Sequence, residues 1–304
     1  MIKGVFSVLP TPFTADGQID IEGIAKVMDL YLRAGVDGLT AAGVTSETAR
    51  LNDHERSTLL ELIMAHVNQR VPVVVGTSAD GLHRCIELTK SAKSLGAAAV
   101  MMSPPRMPKL NSDAVLRHYR EVASAVDIPI IVQDYPPVSG FTMEPALLAG
   151  IAREISLVRG IKLEDPPTPY KIARVLERME GRPISIYGGL GGMYLIEELM
   201  AGAAGAMTGF AIPEILVRVV SLFHQGKQEE AASVFYQTVA CMRFEFQEGI
   251  GMAIRKEILR RRGAIANATT RPPAARMDKS TLEALDRLLA WFQSQHKEIQ
   301  WTLD

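Results

Sequence analysis

The chain has 304 residues, of which 47% are hydrophobic and 22% charged, and its formal net charge at pH 7 is −1. This balance argues against nucleic acid or an anionic membrane surface as a partner, since both select basic proteins. No apolar run reaches the length of a membrane span, and the N-terminus lacks the segments of a signal peptide. The two cysteines lie far apart in apolar, helix-like surroundings, which predicts buried free thiols and a reducing cytoplasm.

Short apolar runs recur along the first two thirds of the chain and predict eight β-strands. They cover residues 5–9, 38–41, 73–76, 98–102, 130–133, 158–162, 185–188 and 205–208. Helical patterns separate them. Asn52 followed by Glu55 has the pattern of a capping box, and Thr168-Pro169 places proline in the first turn of a helix.

Three helix-to-strand joints contain a glycine, namely Gly35, Gly96 and Gly202. Glycine after the last helical turn readily takes the left-handed conformation that ends a helix before a buried strand. Continuous apolar strands that alternate with helices predict a parallel sheet covered on both faces.

Eight such units predict an α/β fold, a (β/α)₈ TIM barrel with additional C-terminal helices. An open doubly wound sheet is disfavoured because no Gly-x-Gly-x-x-Gly follows the first strand. We predict the barrel over residues 1–212, and the last barrel helix with a helical extension over residues 213–304. Within that extension residues 269–277 are predicted to form a loop, and Arg260-Arg261-Arg262 a solvated helix end.

Lys162 closes the predicted strand over residues 158–162 and is the only one of eleven lysines that ends a strand-like run. Burial disfavours the charged form of a lysine, and a neutral amine can attack a carbonyl carbon to form a Schiff base. The alternative is a surface lysine that pairs with Glu164 or Asp165.

Polar residues follow several of the predicted strands, at the barrel end where active sites lie. They are Thr45 and Ser46 after strand two, Gln133 and Asp134 at strand five and Thr208 at strand eight, while strand seven ends at Gly188. Thr45 and Ser46, with neighbouring backbone N–H groups, could hold a carboxylate. Turn and helix-cap roles explain these two residues equally well.

In these residues the chain resembles the dihydrodipicolinate synthase and N-acetylneuraminate lyase superfamily of class I aldolase-like lyases. The resemblance covers nearly the whole chain and is carried by Thr11-Pro12-Phe13, Gly43-Val44-Thr45-Ser46-Glu47 and Gly160-Ile161-Lys162. It implies a barrel with extra C-terminal helices, a Schiff base on Lys162 and a homotetramer built from dimers.

The chain departs from the synthase at the positions that the family uses to relay protons. Gln133 stands at the position of a tyrosine, and Val44 at that of its threonine partner. Pro105-Arg106 replaces a tyrosine pair, and Val138 the arginine that holds the second substrate. Dihydrodipicolinate synthesis is therefore disfavoured.

Another group must move the proton, and we expect Glu164 to do so. Two positions beyond Lys162 on an extended chain, Glu164 points to the same side and can act as a general base. Tyr135 is a poorer candidate because two strand residues from position 133 span about 6–7 Å.

The segments Gln133-Asp134, Lys162-x-Glu164 and Gly205-Ala206-Met207-Thr208-Gly209 resemble one branch of the superfamily, the dehydratases of 2-keto-3-deoxy sugar acids such as 2-keto-3-deoxyarabonate. This resemblance implies a lyase with catalytic and substrate-binding residues at the strand ends. The expected catalytic residues are Lys162, Glu164 and Gln133, and the expected substrate contacts are Thr45, Ser46, Asp134, Gly188 and Met207.

The resulting hypothesis is a cytoplasmic hydro-lyase that acts on a small 2-oxo acid. It needs no separate cofactor, because the iminium accepts the electrons, and the scattered histidines imply no metal. Two alternatives are a lyase of the pyruvate-dependent aldolase or synthase-like type, and a family member that binds 2-oxo acids without turnover.

Overall fold

The computed structural model of the chain describes residues 3–299. At its centre lies a closed barrel in which each strand pairs in parallel with its sequence neighbours and the last strand pairs with the first. The strands are β1 (Gly4–Val8), β2 (Gly38–Ala41), β3 (Val73–Gly76), β4 (Ala99–Met102), β5 (Ile130–Asp134), β6 (Val158–Leu163), β7 (Ser185–Gly188) and β8 (Gly205–Thr208). The predicted TIM barrel is confirmed, and each predicted strand agrees with the observed one to within one residue at either end.

Helices surround the barrel and continue beyond its last strand. They are α1 (Ile21–Arg33), α2 (Asp53–Val67), α3 (Leu82–Ser94), α4 (Ser112–Ala125), α5 (Pro136–Ser139), α6 (Pro145–Glu154), α7 (Thr168–Glu177), α8 (Leu195–Met200), α9 (Pro213–His224), α10 (Gln228–Glu245), α11 (Gly251–Arg261) and α12 (Lys279–Gln295). Short 3₁₀ turns occupy Val44–Ser46, Thr48–Arg50 and Leu190–Gly192. Within residues 3–299, no helix has both the length and the apolar character to cross a membrane.

The predicted capping box and the predicted helix-ending glycines are confirmed. The Asn52 side chain accepts from the Glu55 backbone N–H at 2.8 Å, and the Glu55 carboxylate accepts from the Asn52 N–H at 2.9 Å. Gly35, Gly96 and Gly202 have φ angles of +79°, +88° and +100°, the left-handed conformation that ends the preceding helices.

Two apolar layers follow from the alternation of side chains along each strand. An inner cluster fills the barrel with Phe6, Val74, Ala99, Met101, Ile131, Tyr187 and Met207. The outer layer lies between sheet and helices and contains Val132, Ile161 and Leu163. Because neighbouring residues alternate, Gln133 and Lys162 point into the barrel and Asp134 points outward.

The C-terminal helices are joined to the barrel through buried ion pairs. Lys256 on α11 pairs with Glu47, and its ammonium lies 4.2 Å from the centre of the Phe13 ring. Arg262 is 1% exposed and donates to the Ala211 carbonyl at 2.7 Å, so the prediction of a solvated helix end is wrong for this residue. An arginine at the end of an exposed helix is drawn inward here because a carbonyl and the Glu214 carboxylate meet its guanidinium.

Candidate active site

Lys162 lies near the carboxyl end of β6 and is only 5% exposed. Its Nζ atom lies 3.0 Å from Oε2 of Glu164, which is 7% exposed. The two side chains point to the same side because they are two positions apart on an extended backbone. Lys162 is thus a buried lysine with an adjacent carboxylate, and the alternative of a surface lysine does not describe it.

Gln133 stands beside Lys162 in the sheet, since the register pairs these two residues across β5 and β6. Its Nε2 donates to Glu164 Oε2 at 2.8 Å, and its Oε1 accepts from the Ser103 hydroxyl at 3.2 Å. Ser103, directly after β4, was not predicted, although its position at a strand end is the signal that could have found it. Two hydrogen bonds thus connect Ser103 to Gln133 and Gln133 to Glu164, and the ion pair of Glu164 with Lys162 continues the line.

The Gln133 amide and the Lys162 ammonium both contact Oε2 of the Glu164 carboxylate. A backbone hydrogen bond also holds Glu164 next to β5, because its N–H donates to the Asp134 carbonyl at 2.9 Å. A Cβ on Gly189 would lie 2.4 Å from Cγ and Oε1 of Glu164, closer than atoms can approach. Glycine at position 189 is therefore what allows the carboxylate to lie across the end of β7.

Gly188 makes room for a different carboxylate. A Cβ there would lie 1.6 Å from Oε2 of Glu198, a residue of α8 that is 1% exposed. Burial is the main cause that raises the pKa of Glu198 to about 8, and the nearby charge of Glu164 raises it further. The Thr168 hydroxyl donates to Glu198 Oε1 at 2.6 Å. A lone glutamate in a helical pattern carries no sequence signal of such burial.

Asp134 is not brought together with Lys162. Its carboxylate lies between the sheet and α7, where it accepts from the Lys171 ammonium at 2.6 Å. Lys171 also pairs with Asp165 at 2.7 Å. Burial raises the pKa of Asp134 to about 6 against the opposing effect of Lys171. The predicted substrate contact by the Asp134 side chain is corrected accordingly, because adjacent strand residues face opposite sides of the sheet.

Thr45 and Ser46, predicted together, differ in what their hydroxyls do. The Ser46 hydroxyl donates to the Leu9 carbonyl at 2.6 Å and accepts from the Gly43 N–H at 3.1 Å. These two bonds tie the turn after β2 to β1, so Ser46 has a structural role. The Thr45 hydroxyl is buried and has no hydrogen-bond partner among the described residues.

Met207 is fully buried in the inner cluster of the barrel, where its strand pairs with β1 at Phe6. A cavity of about 460 Å³ opens at the barrel end and reaches Gln133 and Ser103. Its polar lining further includes Arg56, Asp80 and Arg106. The volume lies within the range of small-molecule sites.

Comparison with known proteins finds relatives over nearly the whole chain. The sequence profile of the dihydrodipicolinate synthetase family matches residues 1–291. An L-2-keto-3-deoxyarabonate dehydratase from Azospirillum brasilense is 33% identical over 286 residues, which cover 92% of this chain and 91% of that protein.

Solved structures share the fold. A dihydrodipicolinate synthase from Rhodopseudomonas palustris matches with a TM-score of 0.90 and 32% identity, covering 95% of this chain and 97% of that one. YagE from Escherichia coli, solved in complex with pyruvate, has a TM-score of 0.87 and 25% identity over 96% of this chain and 99% of its own. YagE is named as a 2-dehydro-3-deoxy-D-gluconate aldolase. These matches show that this chain belongs to the dihydrodipicolinate synthetase family.

Proposed function

We propose that this family member is a Schiff-base lyase that removes water from a 2-keto-3-deoxy sugar acid. The observation that carries the proposal is the buried pair of Lys162 and Glu164, with Gln133 bonded to the same carboxylate oxygen. The Glu164 carboxylate beside the amine can accept a proton. The Gln133 amide cannot exchange a proton near neutral pH. The relative from Azospirillum brasilense, named as a dehydratase, supports the same reaction type.

The reaction begins at the amine of Lys162. Glu164, 3.0 Å away, can accept the proton of the ammonium and leave a neutral nucleophile. The amine then attacks the C2 carbonyl of the 2-oxo acid. The carbonyl oxygen departs as water with the proton that Glu164 had taken, which leaves Glu164 a carboxylate again. The product is an iminium that makes the protons on C3 acidic.

Glu164 next takes a proton from C3, which converts the iminium into an enamine. The enamine expels the C4 hydroxyl, which accepts the proton held by the Glu164 carboxyl and leaves as water. Hydrolysis of the conjugated iminium restores Lys162. One molecule of water is lost overall, and a substrate with a hydroxyl on C5 tautomerises to a dioxo acid.

The remaining residues hold the reactants in place. Gln133 fixes the Glu164 carboxylate and is itself held by Ser103. The cavity that reaches Gln133 is large enough for the hydroxylated tail of a sugar acid, and Arg56, Asp80 and Arg106 offer it donors and acceptors.

The direct test uses a set of 2-keto-3-deoxy sugar acids, with products identified by mass. We expect a product lighter than its substrate by one water, and borohydride should trap a 2-oxo acid on Lys162. Lys162→Met should abolish the adduct, whereas Lys93→Met, an exposed lysine on α3, should leave it unchanged. A folded protein that forms no adduct with any of the acids would refute the proposal.

The main alternative is an aldolase that uses the same lysine; YagE is named as an aldolase. An aldolase breaks the C3–C4 bond and releases pyruvate and an aldehyde. Detection of pyruvate in place of the dehydrated acid would assign that reaction. Adduct formation without either product would instead indicate a binding protein.

A further inference from the structure

Two arginines line the cavity that opens beside the proposed reaction centre. This cavity of about 460 Å³ meets the centre at Gln133, whose amide lies 2.8 Å from the Glu164 oxygen that contacts Lys162. From Gln133 the lining continues to Arg56 of α2 and to Arg106, which follows β4. The proposed reaction steps use neither guanidinium, so both are available to the part of the substrate that points away from Lys162.

Arg56 is a half-buried cation without a carboxylate partner. Its Nη2 donates to the Gly76 carbonyl at 2.6 Å, and within residues 3–299 no carboxylate oxygen lies within 4.0 Å of its guanidinium. The neighbouring Asp53 pairs with Arg84 instead, at 2.5 Å. Burial is the main cause that lowers the pKa of Arg56, and the charge of Arg84 lowers it further. Because an unpaired cation is costly to remove from water, this guanidinium favours an anionic ligand.

Arg106 is held at the wall of the same cavity by its backbone and by its side chain. Its N–H donates to Asp80 Oδ1 at 2.9 Å, and its Nη2 donates to the Val138 carbonyl at 2.6 Å. Asp80 and Val138 also line the cavity. A guanidinium carries five N–H donors, and the side chains of Arg56 and Arg106 each use one in a bond to the described part of the chain. Both can therefore donate to a ligand as well.

The cavity lies on the side of the barrel mouth towards which the tail of a bound acid would extend. Gly76 ends β3 and Lys162 lies near the end of β6, three strands further along a closed barrel of eight. The two residues therefore lie nearly opposite each other across the mouth. An acid attached to Lys162 through C2 enters the cavity by passing Gln133, and its tail then points towards Arg56.

We propose that Arg56 and Arg106 bind a second carboxylate at the far end of the substrate, which makes the substrate a 3-deoxy-2-oxo sugar diacid. This inference rests on the proposed function for the attachment of the acid to Lys162. Guanidinium groups bind carboxylates through strong, often bidentate hydrogen bonds. Together with Asp80, the two arginines give the lining a net charge of +1, which matches one carboxylate. A terminal hydroxyl would leave the charge of Arg56 uncompensated.

The test uses two pairs of 2-oxo acids whose members differ only at the last carbon. 2-Oxoglutarate is compared with 5-hydroxy-2-oxopentanoate, and 2-oxoadipate with 6-hydroxy-2-oxohexanoate. Borohydride should trap the diacid of at least one pair on wild-type protein about tenfold more efficiently than its hydroxy acid. Arg56→Met should reduce that preference by about tenfold, and Arg106→Met by about threefold, while the hydroxy acids are still trapped.

Arg120→Met is the matched control and should keep the wild-type preference. Arg120 is an exposed arginine of α4 that pairs with Glu154 and lies outside the cavity lining. Melting temperatures show whether each variant is folded, and Arg106→Met changes an exposed residue, so it keeps the test decisive if Arg56→Met does not fold. The proposal is wrong if wild-type protein prefers neither diacid, or if the folded variants retain the full preference.

Calorimetric binding of the same acids to Lys162→Met separates this subsite from the Schiff base. In that background a preference for a diacid that Arg106→Met reduces supports the subsite even where no lyase activity is found. Equal binding within both pairs refutes the subsite, whereas an adduct on wild-type protein then still supports the proposed function.

Discussion

Gln133 and Glu164, 31 positions apart in sequence, meet where the Gln133 amide donates at 2.8 Å to the carboxylate oxygen that also contacts Lys162. The amide cannot exchange a proton near neutral pH, so it holds the carboxylate without competing for the proton. Placement and proton transfer are thus divided between two side chains. This division agrees with a dehydratase in which a carboxylate acts directly on the substrate carbon.

Glu164→Gln should separate adduct formation from turnover. The amide has nearly the same shape but cannot accept the C3 proton, so we expect kcat to fall by about 10²–10⁴-fold. The borohydride adduct on Lys162 should still form, but more slowly, because glutamine cannot take the ammonium proton either. Steady-state kinetics and mass spectrometry of the trapped protein measure the two effects. Equal kcat in both proteins would exclude Glu164 as the base, and Glu229→Gln on the exposed face of α10 is the control.

Gly189→Ala should reduce turnover by displacing the Glu164 carboxylate, since the added Cβ would lie 2.4 Å from it. We expect a loss of about tenfold or more in kcat, consistent with the sensitivity of catalysis to small misplacements. Gly150→Ala, in a helix where a Cβ meets nothing within 4 Å, should leave kcat unchanged. Normal kcat in folded Gly189→Ala would show that this contact is dispensable.

Lys171→Met should destabilise the fold, because it leaves the Asp134 carboxylate buried without its cation. Loss of one partner of a buried ion pair costs about 3 kcal/mol or more. Urea unfolding should show this loss. The double variant Lys171→Met/Asp134→Asn should recover part of the stability because no charge stays buried. Absence of recovery would contradict this account of the cluster.

Glu198 should make the stability of the protein fall as pH rises. Its pKa is raised to about 8, so the folded state keeps a proton that the unfolded chain releases above its ordinary value of 4.5. Its contribution is fully present below about pH 4.5 and is lost as pH rises towards 8. The slope approaches about 1 kcal/mol per pH unit in that window.

Glu198→Gln should remove this slope, since the amide does not titrate. The difference in unfolding free energy between Glu198→Gln and wild type should therefore shift in favour of the variant between pH 5 and pH 8. Urea unfolding at both pH values measures it. A difference that does not change with pH would show that Glu198 has no raised pKa in the fold, and Glu229→Gln should show no such trend.

The strand positions and the inward direction of Lys162 were accessible from sequence because both depend on local order. Apolar runs separated by helical patterns set the eight strands, and a period of two sets the direction of each side chain. The same period places Glu164 beside Lys162, since the two residues share one strand. The pairing of Lys162 with Glu164 therefore follows from their closeness in the sequence.

The period of two also shows why Asp134 was misplaced. Gln133 and Asp134 are neighbours on β5, so they point to opposite sides, and only Gln133 enters the barrel. Choosing between them needed the register with β6, which pairs Gln133 with Lys162. For Ser46 the sequence left both a carboxylate contact and a turn role open, and the bond of its hydroxyl to Leu9, 37 positions away, shows the turn role.

The sequence alone determined the barrel, the lysine and the adjacent carboxylate, since these follow from short-range periodicity and from residue chemistry. Tertiary structure decided which polar groups accompany them. Arg255 reaches Gly209 and Thr45 from a helix that follows the barrel, and Glu198 is buried against Gly188. Such contacts join distant segments whose approach is set by packing of the whole chain, which no local pattern of residues encodes.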